Sequence, residues 1–316
     1  MAGTVTHGYF GLDVGKKINF NNEYIRDLMT FSQGHDIFFF CGKKIANNKK
    51  IGNYFHYTNT QGFFLNMIEY IKNNRLYDNP QVLAYLYGYI NHYVLDKNIH
   101  PFVKYKTGKF RKKHKETWKY NGKHAEMESY IDSYMIYTRE KILPGKFRIQ
   151  KFCLNAHKFS NELLDLIDYT IKKTYDYDNG GRIYRYALNK MRFEFSLLRN
   201  DYFGIKKKIY TLADNILPQQ FYKFAPVSLA FKPHSLDKYL NNHHKTWTHI
   251  MYKDEKYTTS FKDIYDDSIK EAIDIINKVN DYFKGKKVNL TKIFNNTSFT
   301  TGKLCGDKCK EQYFEY

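Results

Sequence analysis

The sequence predicts an all-α protein, a single multi-helix domain, and three observations carry that expectation. Apolar residues recur at 3–4 spacing through long segments, strict apolar–polar alternation is scarce, and only 6 prolines interrupt 316 residues. The first long helix is announced by Asp78 and Asn79 as caps with Pro80 in the first turn. It continues through QVLAYLYGYINHYVLDKN until Pro101, which is expected to stop it. A second helix is expected over 123–141 and a third over about 161–174. A fourth runs over 183–199, with Ile183, Ala187, Met191, Phe195 and Leu198 on one stripe. A fifth covers 263–284, with Ser268, Ala272, Ile275, Val279 and Phe283 in register and Gly285 as its stop. The IFFF run at 37–40 reads as a short strand or a buried segment. Asn179, Gly180 and Gly181 read as a turn between the third and fourth helices. No repeat or low-complexity linker divides the chain, so residues 1–316 are expected to form one domain.

Composition excludes several classes. A hydrophobic content of 42%, with 18% aromatic residues, is incompatible with intrinsic disorder, and no glycine repeat suggests a collagen-like chain. No apolar run approaches the ~20 residues of a membrane-spanning helix. The first residues show no basic segment leading into an apolar one, so a secretory signal is not expected. Four cysteines do not make a disulfide framework: Cys41 and Cys153 stand alone, and Cys305 and Cys309 are expected to be plain thiols. A cytoplasmic location is the resulting expectation. The net charge is +19, yet Lys outnumbers Arg 42 to 9 in a chain also rich in Asn, Ile, Tyr and Phe. AT-rich coding explains such a profile before nucleic-acid binding does, because readers of phosphate and bases favour the forked guanidinium of Arg. A nucleic-acid partner and an acidic membrane surface are the lesser readings.

The chemistry concentrates on two helices. His92, Asp96 and His100 stand at i, i+4 and i+8, on one face of the first long helix. Eight residues rise ~12 Å, too far for both histidines to bind one ion at ~2 Å, so at least two metals are implied with Asp96 between them. His124 and Glu128 form a chelating i, i+4 pair on the second helix. Solvated His–carboxylate pairs are common on exposed helix faces. Here Leu83, Leu86, Tyr89, Ile90, Tyr93 and Leu95 crowd the polar stripe, so the first helix should be buried and its His and Asp should need partners. His7, Asp36 and His56 add ligand types that carry little weight one by one. Asp132, a turn past Glu128, has no assigned role, and its change to Asn is expected to do little. Asn242, His243, His244 and His249 read as a surface group.

Taken together, these segments resemble the bacterial zinc-dependent phospholipase C family, whose fold is shared by single-strand-specific zinc nucleases. The resemblance rests on Thr6-His7 followed by Phe10-Gly11, on Gly34 and Asp36 running into Phe38–Phe40, and on His56. It continues through GYINHYVLDKNIHPF and HAEME, and in Leu240-Asn241, Trp247, Ser260-Phe261 and Tyr265, about 7 to 280 in all. It implies two to three zinc ions. Asp36, His56, His92 and Asp96 would hold one, His100, His124 and Glu128 a second, and His7 with Asp96 a third, Asp96 bridging. Asp36 would be the base or water orienter. Secreted relatives complete the third site with an N-terminal Trp, whereas the Trp residues here are Trp118 and Trp247. The spacing of Asp96 and His100 is also shorter than in some secreted relatives.

Such ions acidify a bound water and offset phosphoryl charge, so the expected activity is phosphodiester hydrolysis, on a phospholipid headgroup or similar anionic substrate. A peripheral membrane surface is a further expected partner. A nuclease on the same fold and a non-catalytic, metal-stabilised binding protein are the alternatives. Between the ligand helices, residues 104–123 carry nine basic residues and form either a solvated loop or a cationic rim for anionic substrate, with Lys112 and Lys113 as its contact residues.

Overall fold

The computed structural model describes residues 3–42, 51–229 and 237–315. Helix α1 (Thr4–Lys17) and α2 (Ile25–Phe31) precede a 3-10 stretch over Gly34–Phe40. Of the two readings of the IFFF run, the buried segment holds and the strand does not: it is a tight helical turn that buries Ile37 and Phe38. Then come α3 (Ile51–Tyr57), α4 (Thr60–Asn73), α5 (Pro80–Thr107), α6 (Lys123–Glu140), α7 (Ile149–Phe152) and α8 (Asn161–Tyr175). They are followed by α9 (Gly180–Leu198), α10 (Ile205–Ile216), α11 (Asp237–Leu240), α12 (Phe261–Phe283) and α13 (Leu290–Ile293). Strands β1 (Trp247–Thr248) and β2 (Lys256–Tyr257) pair antiparallel, Trp247 opposite Tyr257. The all-α expectation holds, and one contiguous apolar cluster runs from Val5 to Phe299.

Helix α5 is the axis. Its start follows the sequence signals: the Asn79 side chain accepts from the N–H groups of Gln81 and Val82, and Pro80 gives up a donor that would have no partner. At 28 residues it is about 42 Å long, with α2 and α12 packed along it. Pro101 does not stop it. An interior proline costs ~3 kcal/mol, but Phe102 and Val103 just beyond are fully buried, and each recovers about 1.5–3 kcal/mol by staying helical. The Lys97 carbonyl freed by Pro101 is approached closely by Gly302, where an added Cβ would lie 2.6 Å from it. The helix ends instead at Gly108, whose φ of 68° suits glycine.

The other expected helices form with small boundary shifts. Gly180 and Gly181 open α9 rather than precede it, and the Gly181 N–H donates to Asp168. Leu198, assigned to the buried stripe of α9, is exposed. Helix α10 was not anticipated. Helix α12 begins with a capping box in which Ser260 and Asp263 satisfy each other's backbone N–H.

Candidate metal centre

Helix α5 is buried nearly all round, so His92, Asp96 and His100 have no exit to solvent and must be satisfied inside. Asp96 lies at the middle. Its Oδ1 is 3.2 Å from His7 Nε2 on α1; its Oδ2 is 3.5 Å from His92 Nε2, 3.8 Å from His56 Nε2 and 3.7 Å from His100 Nδ1. Asp36 joins from the 3-10 turn, with Oδ1 3.2 Å from His56 Nε2. That turn packs against His92 only because residue 34 is glycine: at its φ of +50°, a Cβ would sit 2.2 Å from the imidazole.

Asp36, His56, His92 and Asp96 thus form an inner group, all four buried. The His56 Nδ1 donates to the Gly52 carbonyl. Its Nε2 faces His92 Nε2 at 3.4 Å as well as the two carboxylates. Burial pushes the His92 imidazole well below its ordinary pKa, so it is neutral there. Burial, with Asp96 beside it, pushes the Asp36 carboxyl up. Two carboxylates and two imidazoles converging on one buried point describe a space suited to a cation. Tetrahedral zinc bonded at 2.0–2.1 Å requires ligand atoms about 3.3–3.4 Å apart; four of the six separations here run from 3.2 to 3.8 Å, and all lie within 4.8 Å. The residues fit the metal.

The outer group is His100, His124 and Glu128, whose ligand atoms lie within 4.8 Å of one another. His124 Nε2 is 2.8 Å from Glu128 Oε1, and its ring stacks 5.9 Å from that of His100. The His100 Nδ1 donates to the Phe299 carbonyl at 2.6 Å, which turns Nε2 toward the group. Burial holds His100 neutral. Unlike the inner group, this one reaches the surface, with His124 36% exposed. Three donors with an exposed side is the arrangement of a catalytic zinc site.

All eight sequence-assigned ligands are therefore brought together, seven in the two groups and His7 against Asp96. The basic rim is smaller than expected. Lys104 and Lys109 pair with Glu311, and Lys106 with Glu315, while Lys112 and Lys113 are exposed. His249 departs from the surface reading: it is buried, with Nε2 2.9 Å from the Thr301 carbonyl. Among residues the sequence left aside, Phe299 packs its ring against His56 and His92, its N–H donating to the His56 carbonyl and its carbonyl accepting from His100. Nothing local in its sequence marks it.

Asp132 corrects an expectation. It is fully buried and caps α1 from across the molecule, accepting from the N–H groups of Val5 and Thr6 and from the Thr6 hydroxyl, with Arg199 3.7 Å away. Gly3, the α1 cap, offers no side chain, and any Cβ there would collide with the Asp132 carboxylate. Asp132 therefore fixes the helix end that carries His7.

No match was found among characterised proteins or solved structures. A family model described as zinc dependent phospholipase C matches residues 6–182, which takes in every residue of the two donor groups and His7 but not the likeness seen at 240–265. Donor geometry and family match agree, and the chain belongs to the zinc-dependent phospholipase C family.

Proposed function

We propose that the protein is a metal-dependent phosphodiester hydrolase with phospholipase C-like chemistry. The observation that carries this reading is the exposed three-donor group coupled through Asp96 to a buried four-donor group. In this reading Asp36, His56, His92 and Asp96 hold one zinc ion, His100, His124 and Glu128 a second, and His7 with Asp96 a third. Bound zinc would acidify a water and offset charge on the phosphoryl oxygens. The chain's own part is positional. Asp96 spans the groups, one oxygen toward His7 and the other toward His92, His56 and His100. Asp36, whose carboxyl is raised by burial, is suited to accept a proton from an attacking water or to orient it. Lys112 and Lys113 lie exposed on the loop that leads into α6 and supply positive charge for an anionic phosphodiester.

Phe39 supports keeping a second reading, a nuclease. It is half-exposed and stacked at 5.6 Å on His56, where a base could lie against it. Residues 1–316 are proposed to form one domain, supported by the shared apolar cluster. A cytoplasmic setting is supported by four free thiols. Elemental analysis of zinc-loaded protein should give two to three ions per chain, and a screen of phospholipid, nucleotide and generic phosphodiesters should find its turnover on a phospholipid. Fewer than one ion per chain would overturn the metal-centre reading; turnover on single-stranded nucleic acid alone would establish the nuclease.

A further inference from the structure

Helix α10 is amphipathic in the reverse sense. Ile205, Ile209, Leu212 and Ile216 fall within about 60° of one another around the helix axis, and they are 56, 57, 61 and 74% exposed. The inward side is polar. Asp214 is buried and accepts from the N–H groups of Phe224 and Ala225, Lys207 donates to the Ala225 carbonyl, and Lys206 donates to the carbonyls of Leu197 and Asn200. A soluble helix normally turns its apolar stripe to the core. This one is pinned by polar contacts so that its apolar stripe faces solvent. Phe203, 78% exposed, extends the patch at the helix start.

The surrounding charge identifies the occupant. Between Arg182 and Lys223 there are nine Lys and Arg against three acids, and two of those acids, Asp201 and Asp214, are buried and bonded to backbone N–H groups. An outward Ile/Leu stripe flanked by cationic and aromatic side chains is the pattern of a helix lying in the headgroup region of an anionic bilayer. Nucleic acid would leave the aliphatic stripe without a use, since bases stack on rings. The surface also adjoins the metal centre. The Asn121 amide donates to the carbonyls of Gln219 and Phe221, the Phe110 ring meets Tyr222 at 5.5 Å, and α6 with His124 begins two residues after Asn121.

We propose that α10 is a membrane-docking helix, which inserts the Ile205–Ile216 stripe at the surface of an anionic lipid bilayer and brings headgroups to the outer donor group. The proposal deepens the phospholipid reading of that site and rests on it only for the second part; its test reads binding, with turnover measured separately. The zinc-loaded chain would be floated with vesicles of phosphatidylcholine alone and of phosphatidylcholine with phosphatidylserine. A water-soluble short-chain phosphodiester would report turnover.

The expected result is co-flotation favouring the anionic vesicles. It should weaken tenfold or more in Ile209→Gln with Leu212→Gln, at unchanged circular dichroism and melting temperature, because both side chains are already in water. Lys208→Glu should weaken it further at low salt and flatten its salt dependence. Vesicle binding without turnover on any phosphodiester would leave the docking helix standing and remove the hydrolase reading. No uptake by anionic vesicles, or uptake indifferent to the double substitution, overturns the docking helix. So does a dimer that the double substitution dissolves in the absence of vesicle uptake, which would give the face to a second copy of the chain.

Discussion

The inner and outer donor groups share helix α5 yet differ in what surrounds them. Asp36, His56, His92 and Asp96 are buried, with the Phe39 and Phe299 rings against the imidazoles, whereas His124 stands at the surface four residues from its partner Glu128. Burial is what separates them: in the proposed reading the buried set of four donors would hold a cation with the Asp36 carboxylate beside it, while the exposed set of three would leave a side for substrate. Asp96 belongs to both, through its contacts to His92 and His100.

The largest effect should therefore follow Asp96→Asn. It keeps volume and helix but removes the negative charge at the centre of the ions, whose mutual repulsion is poorly screened inside the protein. Metal affinity should fall by more than the ~100-fold that loss of an outer partner costs, and hydrolysis by orders of magnitude, with helical content retained. Full metal occupancy with wild-type turnover would end the shared-centre reading.

The two groups can then be separated. His124→Ala should abolish turnover and release about one ion, while stability of the metal-free chain changes by no more than about 0.5 kcal/mol, as for other partly exposed positions. His56→Ala should also lose an ion but destabilise the chain by about 2–4 kcal/mol, because it opens a cavity in a buried region and strips a partner from the Gly52 carbonyl. Elemental analysis and thermal melts on both variants read the contrast. Equal melting temperatures would show that burial does not divide the groups as described.

How much of this the sequence discloses depends on how local the cause is. The caps at Asn79 and Ser260 act within three residues, and the i, i+4 spacing of His92, Asp96 and His100 needs only helical geometry, so both are readable. Pro101 misleads because a local rule meets a burial decided by α2 and α12. Asp132 is opaque for a related reason: its partners Val5 and Thr6 are 127 and 126 residues away in the chain. The Phe299 carbonyl that orients His100 is 199 residues away. Periodicity could have found α10, but it cannot say which face of a helix points outward.

Asp132 gives the next, smaller effect. Asp132→Asn leaves one acceptor oxygen where α1 has two N–H groups and a hydroxyl to satisfy, and it removes the charge opposite Arg199. A loss of about 1–3 kcal/mol is expected, the range for a buried hydrogen-bonding group left unsatisfied. Because α1 carries His7 to Asp96, the variant should lose metal from the His7 position before the inner group empties. Denaturant melts with parallel metal analysis test this, and unchanged stability would reduce Asp132 to a bystander.

The smallest effect is expected on the outer group's approach. Lys112 and Lys113 are exposed, and the Lys112 ammonium lies 5.1 Å above the Phe221 ring. Neighbouring Lys104 and Lys109 are already paired with Glu311, and Lys106 with Glu315, so these two form part of the free charge left on this loop. Exposed charges act through solvent and are screened beyond about 8 Å at physiological salt. Reversing both to Glu should therefore leave metal content and melting temperature in place and lower kcat/KM for an anionic phosphodiester about two- to tenfold at low salt. The deficit should shrink as salt rises, since screening removes the attraction in the parent and the repulsion in the variant alike. The inner group, being buried, should keep its metal content. Kinetics at low salt that match the parent would make the loop a solvated connector and leave substrate capture to α10 and the donor groups alone.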